Sequence, residues 1–104
     1  AIFMHHPPFE ISQSDYPFQF QSREAAELLT GTLDGLQHVV RIFCGHSHRD
    51  ATGRVGDVPA STNPSVAIDL RLGEYPDGFQ TAPLYQIHRF DARDGFVSEI
   101  RAAA

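Results

Sequence analysis

The sequence lacks several features that would assign it to a protein class directly. Its single cysteine, Cys44, excludes an internal disulfide. No run approaches the roughly 20 apolar residues of a membrane span, and no stretch resembles a signal peptide. Lys and Arg number only eight and are dispersed, and the net charge is −5. We therefore expect a protein without a membrane segment and without a nucleic-acid polymer as partner. The scarcity of cysteine favours the cytoplasm, although a preceding segment could carry a signal.

What is present is ordinary for a globular protein. The chain has 104 residues, of which 41% are hydrophobic and 20% charged. These values exclude a disordered or fibrous protein, and the length allows one domain with a modest core. Neither an internal repeat nor a low-complexity segment occurs.

The first half of the chain predicts a strand, a long loop, a helix and a second strand. Residues 1–4 are apolar, and the histidines and prolines that follow them end the strand. After a loop that reaches about Gln21, Ser22 is suited to cap a helix that begins with "REAAELL", and Gly31 is a candidate early stop or interruption. Residues 39–44, "VVRIFC", predict an interior strand.

This order of elements is a βαβ unit, which implies two parallel neighbouring strands. Both strands then end at the same edge of the sheet, where open α/β sheets usually bind ligands. One ends at "MHH" and the other at "CGHSH". The topology therefore brings together histidines that are about forty residues apart in the sequence.

The second half predicts antiparallel strands and a hairpin. Short apolar stretches around Val55, Val58 and residues 66–70 are broken by glycines and prolines, as in antiparallel strands. A loop over residues 73–83 follows. Beyond it, "LYQIHRF" and "FVSEI" flank "DARDG", in which Gly95 supplies the unusual backbone angle of a hairpin turn.

The segment "CGHSH", residues 44–48, carries the most chemistry. Two histidines at positions i and i+2 of an extended backbone point the same way, Gly45 permits a sharp turn, and Ser47 is small. Both rings could therefore face metal ions. The pattern alone is equally typical of surface or hydrogen-bonded histidines, but the upstream "HHPP" at the end of a strand favours a metal site.

The motifs "FMHHPPF" and "RIFCGHSH" resemble the C-terminal half of the calcineurin-like metallophosphoesterases. Within that superfamily, the resemblance is strongest to the bacterial class III 3′,5′-cyclic nucleotide phosphodiesterases and glycerophosphodiesterases, and it extends more loosely to "PASTNPSVAIDLR" and "PLYQIHRFDARDGFV". It implies an α/β (α+β) chain that is half of a four-layer αββα sandwich. Residues 1–104 would then be the C-terminal part of a single domain whose N-terminal half, with the Asp-x-His, Gly-Asp-x-x-Asp and Gly-Asn-His motifs, precedes Ala1.

The resemblance also implies the metal ligands. His5 and His46 would bind one metal together with an Asn and a bridging Asp from the absent half, and His48 would bind the other. His6 matches a position that is commonly His but is not counted as a ligand, so we expect a structural, outer-shell or substrate-binding role. The family's protonating histidine belongs to the absent Gly-Asn-His motif, and no catalytic acid is assigned here.

In its complete form, such a protein would be a dinuclear phosphodiesterase. A metal-bridged hydroxide would hydrolyse cyclic nucleotides or small phosphodiesters. The resemblance implies two ions of Fe, Mn or Zn, and Co also suits such ligands. We expect the 104-residue chain alone to bind divalent metal weakly and to be catalytically incomplete. We also expect it to pack against its missing half or to self-associate through strands near Ile2 and residues 39–43.

Two alternatives remain open. The chain could be a non-enzymatic metal-binding or scaffolding module, or a mononuclear zinc hydrolase that uses His5, His46 and His48 and leaves the fourth position open. Substrate discrimination is expected in the loops of residues 9–20 and 73–83.

Other polar residues have structural interpretations. We expect His38 to be solvated, His88 to be structural and Cys44 to be a buried strand residue. Asp15, Tyr16 and Phe18 are expected in an ordinary surface loop, although they could face substrate.

Overall fold

A computed structural model describes residues 1–103, which form an α+β structure with one helix and two sheets. The α+β prediction is confirmed. Strand β1 (Ile2–Met4) precedes helix α1 (Arg23–Asp34), and β2 (Ile42–Cys44), β3 (Ala51–Val55) and β4 (Val58–Thr62) follow. After a 3-10 turn at Ile68–Leu70 come β5 (Leu84–Asp91) and β6 (Gly95–Ala102).

The βαβ unit is present as predicted. Strands β1 and β2 are parallel neighbours, with Met4 opposite Cys44. Helix α1 connects them and begins at the predicted cap, where the Ser22 hydroxyl accepts a 3.0 Å hydrogen bond from the backbone N–H of Ala25. This bond satisfies one of the free N–H groups of the first helical turn.

The larger sheet has the strand order β1-β2-β4-β3. Strand β4 runs parallel to β2, and β3 pairs with β4 in the antiparallel direction. Three parallel strands, β1, β2 and β4, therefore end at one edge of this sheet.

The two faces of the larger sheet are covered differently. On one face, Ile42 and Cys44 belong to the main hydrophobic core together with Leu33 of the helix. On the other face, Phe43 contacts the β5–β6 hairpin through Phe96, with ring centroids 5.1 Å apart. The sheet thus lies between the helix and the hairpin.

The predicted hairpin is confirmed, because β5 and β6 pair in the antiparallel direction with Asp91 opposite Gly95. Gly95 has a φ of 72°, the left-handed conformation that the turn requires. The described residues include no helix with the length and apolarity needed to cross a membrane.

Several elements differ from the sequence predictions in their bounds or in their type. Helix α1 does not stop at Gly31 but continues to Asp34, because Leu33 is buried against the core. Residues 66–70 form no strand, since this exposed segment follows Pro64 and turns into a 3-10 helix. The predicted interior strand is present, but it spans Ile42–Cys44 and not residues 39–44. Strands β1 and β4 pair with it on both sides, so it has no free edge for self-association.

Candidate metal centre

The first part of the site lies where the parallel strands β1 and β2 end. The backbone N–H of Gly45 donates a 2.9 Å hydrogen bond to the carbonyl of His5, which extends the ladder one residue past the strands. The chains are therefore still side by side where the histidines begin. This register holds His5 beside the turn that carries His46.

Three histidines meet at this edge of the sheet. The Nδ1 atom of His46 lies 3.3 Å from the Nε2 atom of His5, although the residues are 41 positions apart. The ring of His6 lies 4.4 Å from the ring of His46 and 4.8 Å from that of His5, measured between centroids. One ring nitrogen from each histidine lies within 4.8 Å of the others, so the group could hold a metal ion. We call His5, His6 and His46 the histidine trio.

The backbone after β2 differs from the extended conformation that the sequence predicted. His46 and His48 have φ values of 65° and 55°, both in the left-handed region. Such a conformation costs a non-glycine residue about 1–3 kcal/mol and persists only where its surroundings enforce it. Here the N–H of the buried Ser47 donates a 2.7 Å hydrogen bond to the carbonyl of Gly45. The sharp turn therefore occurs at the histidines and not at Gly45.

The two histidines of the "HSH" motif have different contacts. His48 is half-buried, and its Nδ1 atom lies 3.1 Å from the carbonyl oxygen of Leu70. With Nδ1–H as the donor, the lone pair of Nε2 is left free. Of the three histidines that were predicted to converge, His5 and His46 belong to the trio and His48 does not. The role of His5, His46 and His48 as metal ligands stays a prediction.

The electrostatics at His46 favour its neutral ring. Burial lowers the pKa of His46, and the positive charges that His6, His5 and His48 can carry lower it further. A neutral imidazole has the free lone pair that a metal ligand needs. The surroundings of His46 therefore favour the protonation state in which its ring can bind metal.

The donor set fits a divalent transition metal. Imidazole nitrogens bind Zn, Fe, Cu and Ni, and the trio offers three of them. Within residues 1–103, the trio contains no carboxylate, so a bridge between two closely spaced ions would need another source. The trio therefore offers three ligands to one ion, and a dinuclear centre would need further ligands.

Sequence reasoning missed a polar residue at the same edge. Asn63 directly follows β4 and lines a hollow of about 380 Å³ together with His5 and Gly45. Its buried side-chain oxygen makes no hydrogen bond to the described residues. The signal in the sequence was a polar residue directly after a strand, but the parallel pairing of β4 with β2 was needed to interpret it.

Most of the remaining candidates lie away from the trio and have structural surroundings. His38 is exposed beyond the helix, and Cys44 is buried in the core. The ring of His88 packs 4.0 Å from that of Phe43, and its Nδ1 lies 2.8 Å from the Ser98 hydroxyl. Burial lowers the pKa of His88, and the charge of Arg41 lowers it further.

The first loop has the surface character that was expected. Asp15 and Tyr16 are exposed, and Phe18 lies under the guanidinium of Arg23, which is 4.4 Å from the ring centroid. These contacts account for the loop by ordinary packing.

Comparison with known proteins finds a distant relative. No protein-family profile matches the chain. The chain is similar to the probable glycerophosphodiester phosphodiesterase GpdQ of Arcobacter nitrofigilis. The alignment spans 101 residues, covers 93% of the chain and shows 28% identity. The chain spans about 37% of the length of that protein. This similarity supports the metallophosphoesterase superfamily that the histidine motifs resemble, and nothing narrower.

Proposed function

We propose that this chain is part of a metal-dependent phosphodiesterase that hydrolyses small phosphodiesters. The observation that carries the proposal is the 3.3 Å approach of the His5 and His46 rings at the ends of two parallel strands. The similarity to a probable glycerophosphodiester phosphodiesterase supports the same reaction class. In this proposal the chain supplies the C-terminal part of one catalytic domain.

The proposed ligands are His5 and His46 for one ion and His48 for a second. The hydrogen bond from His48 to the Leu70 carbonyl supports this role, because ligating histidines usually donate their other ring N–H to such an acceptor. Bound ions would polarise the phosphoryl group and make a coordinated water acidic near neutral pH. We propose Fe, Mn, Zn or Co as the metal, because mixed histidine and carboxylate sites accept these ions and the rest of the complete gene product would add the carboxylates.

The histidines would hold a metal ion, and with it positive charge, next to the substrate. Neutral imidazoles bind a cation without cancelling its charge, so the full charge remains to attract an anionic phosphodiester. All three rings of the trio are exposed, which leaves the site open to a substrate. We assign no general acid within the described residues, and we propose that this group comes from the rest of the complete gene product.

Among small phosphodiesters, we favour glycerophosphodiesters over cyclic nucleotides, because the relative's name specifies that substrate class. Discrimination would come from the loops near the trio. Arg49, the residue after His48, lines a hollow of about 510 Å³ together with Asp50 and Tyr75. The Tyr75 hydroxyl accepts a 3.1 Å hydrogen bond from the N–H of Asp50, which ties the loop of residues 73–83 to the segment after His48.

The test compares the complete gene product with the 104-residue chain. We expect the complete product with added Mn²⁺ or Zn²⁺ to hydrolyse bis(p-nitrophenyl) phosphate and glycerophosphocholine, and the 104-residue chain to show negligible turnover. His46→Gln in the complete product should lower kcat/KM at least 100-fold, whereas His38→Gln, an exposed histidine away from the trio, should leave it unchanged. Full activity of His46→Gln, or an ordinary enzymatic rate in the 104-residue chain, would contradict the proposal.

A second candidate function is a protein with a single ion, either a mononuclear zinc hydrolase or a non-enzymatic metal-binding module. The observation that favours it is the all-imidazole composition of the trio. The ratio of metal to complete gene product separates the candidates: two ions per chain support the dinuclear enzyme, and one ion supports the alternative. A single ion without hydrolysis would favour the non-enzymatic module.

A further inference from the structure

We propose that His6 is the third ligand of a single-ion site that this chain forms with His5 and His46, and that His48 lies outside this site. The inference deepens the proposed function and depends on it only for the roles of His5 and His46. It gives a metal-binding role to a residue for which the sequence predicted a structural or outer-shell one.

The separations within the trio fit one small ion. Zinc binds imidazole nitrogen at about 2.0–2.1 Å, so two nitrogens of a tetrahedral site lie about 3.3–3.4 Å apart. The distance between His5 Nε2 and His46 Nδ1 is 3.3 Å, which matches this separation. The other separations reach at most 4.8 Å and would shorten by side-chain rotation, which the exposure of all three rings permits.

The backbone on both sides of His6 is restrained. A residue before proline is restricted to extended conformations, so the conformation of His6 is limited before any ion binds. Pro7 and Pro8 are buried, which anchors the segment that follows His6. On the other side, His5 is held by its carbonyl, which accepts the N–H of Gly45. The backbone of His6 is therefore held on both sides, which keeps this residue beside the other two histidines.

His48 is held elsewhere by two hydrogen bonds. Its Nδ1 atom contacts the Leu70 carbonyl, and its own carbonyl accepts a 2.7 Å hydrogen bond from the N–H of Leu72. Both contacts attach His48 to the segment around the 3-10 turn. Moving its ring into the trio would break the first of them, whereas His6 needs only rotation about its side-chain bonds.

The composition of the trio limits it to one ion. Three neutral imidazoles bring no negative charge, and two dications at close range repel each other unless an anion lies between them. We therefore expect a stoichiometry of one ion per chain. The dinuclear centre of the proposed function would require His48 and further ligands from the complete gene product.

The test uses the 104-residue chain with Co²⁺ and Zn²⁺ as probes. Visible absorption of bound Co²⁺ reports its coordination, and competition with a chromophoric chelator gives the Zn²⁺ affinity. We expect one ion per chain, and we expect His6→Gln to weaken Zn²⁺ binding at least tenfold and to change the Co²⁺ spectrum. The exposed control His38→Gln should stay within about threefold of the parent, and His48→Gln should weaken Zn²⁺ binding clearly less than His6→Gln does. Circular dichroism checks that each variant is folded.

Side-chain ¹⁵N chemical shifts provide a measurement that needs no variant. Addition of Zn²⁺ should shift the ring nitrogens of His5, His6 and His46 and leave those of His48 in place. Unchanged His6 shifts, or an affinity loss in His48→Gln as large as that in His6→Gln, would overturn the inference. If His46→Gln loses binding and His6→Gln does not, the role of His6 fails and the metal ligands of the proposed function stand. If neither loses binding, both fail.

Discussion

At the scale of single residues, burial separates the metal-binding candidates from the other reactive groups. The histidine trio is exposed, whereas Cys44, which ends the strand next to it, is only 3% exposed and packs in the main core. Burial raises the pKa of the Cys44 thiol to about 11. A thiolate is the form that binds metals and reacts with electrophiles, so Cys44 is chemically inert despite its closeness in sequence to His46.

This difference predicts the reactivity of Cys44 toward iodoacetamide. At pH 8 and a pKa of about 11, roughly one thiol in a thousand is ionised, and burial blocks access as well. We expect alkylation of the folded chain to be at least 100-fold slower than in 6 M guanidinium chloride, as followed by mass spectrometry. Free glutathione under both conditions is the control for the effect of denaturant on the reagent. Equal rates in the folded and unfolded chain would show that Cys44 is accessible.

At the scale of elements, the loop after the histidines is held by strand β3. The ring of Phe9 lies over Gly53, so close that a Cβ atom on Gly53 would be 2.2 Å from a ring carbon. Phe9 is buried in the main core together with Ile11 of the same loop. Gly53 is therefore needed for a close approach, and this contact positions the segment that leaves His6 and the two prolines.

We predict that Gly53→Ala destabilises the chain by about 1–3 kcal/mol, because the added methyl group collides with a buried ring and overpacks the core. Gly31→Ala is the matched control. It lies in helix α1 with nothing within 4 Å of the added carbon, and alanine favours a helix over glycine by up to about 1 kcal/mol. Urea denaturation should thus show opposite shifts for the two variants. A neutral Gly53→Ala would mean that Phe9 does not pack as described.

At the scale of the whole molecule, a row of aromatic rings reaches the surface beside an edge strand. Phe3, Phe43, Phe96 and Phe90 follow one another with centroids 5.0–5.1 Å apart. Both ends of the row are open, since Phe3 is 73% exposed and Phe90 59%. Strand β1 stands at one end of the larger sheet. We propose that a second copy, or the rest of the complete gene product, covers this surface.

We therefore predict that the 104-residue chain self-associates at micromolar concentration and that Phe3→Lys shifts it toward the monomer. A lysine on an edge strand opposes pairing with another chain, and it also removes the exposed end of the aromatic row. Tyr16→Lys is the matched control, because Tyr16 is 81% exposed but lies in the first loop. Analytical ultracentrifugation gives the distributions. A parent chain that stays a folded monomer across this range would contradict the prediction.

Local sequence patterns were sufficient to predict several elements of the fold. Ser22 caps helix α1, and Gly95 forms the turn between β5 and β6, because each depends on the conformation of a few neighbouring residues. The parallel β1–β2 pair followed from the order of strand, helix and strand. That topology was also enough to bring His5 and His46 to one edge.

The tertiary structure alone decided which histidine joins them. Sequence spacing placed His46 and His48 on an extended backbone with their rings on the same side, but both residues have left-handed conformations, and the ring of His48 contacts the Leu70 carbonyl. His6 enters the trio through the restricted backbone before Pro7. The sequence by itself determined the residue types of the site and the parallel β1–β2 pair that brings them together. Which histidine completes the trio depended on backbone angles and on contacts between distant segments, which no local pattern encodes.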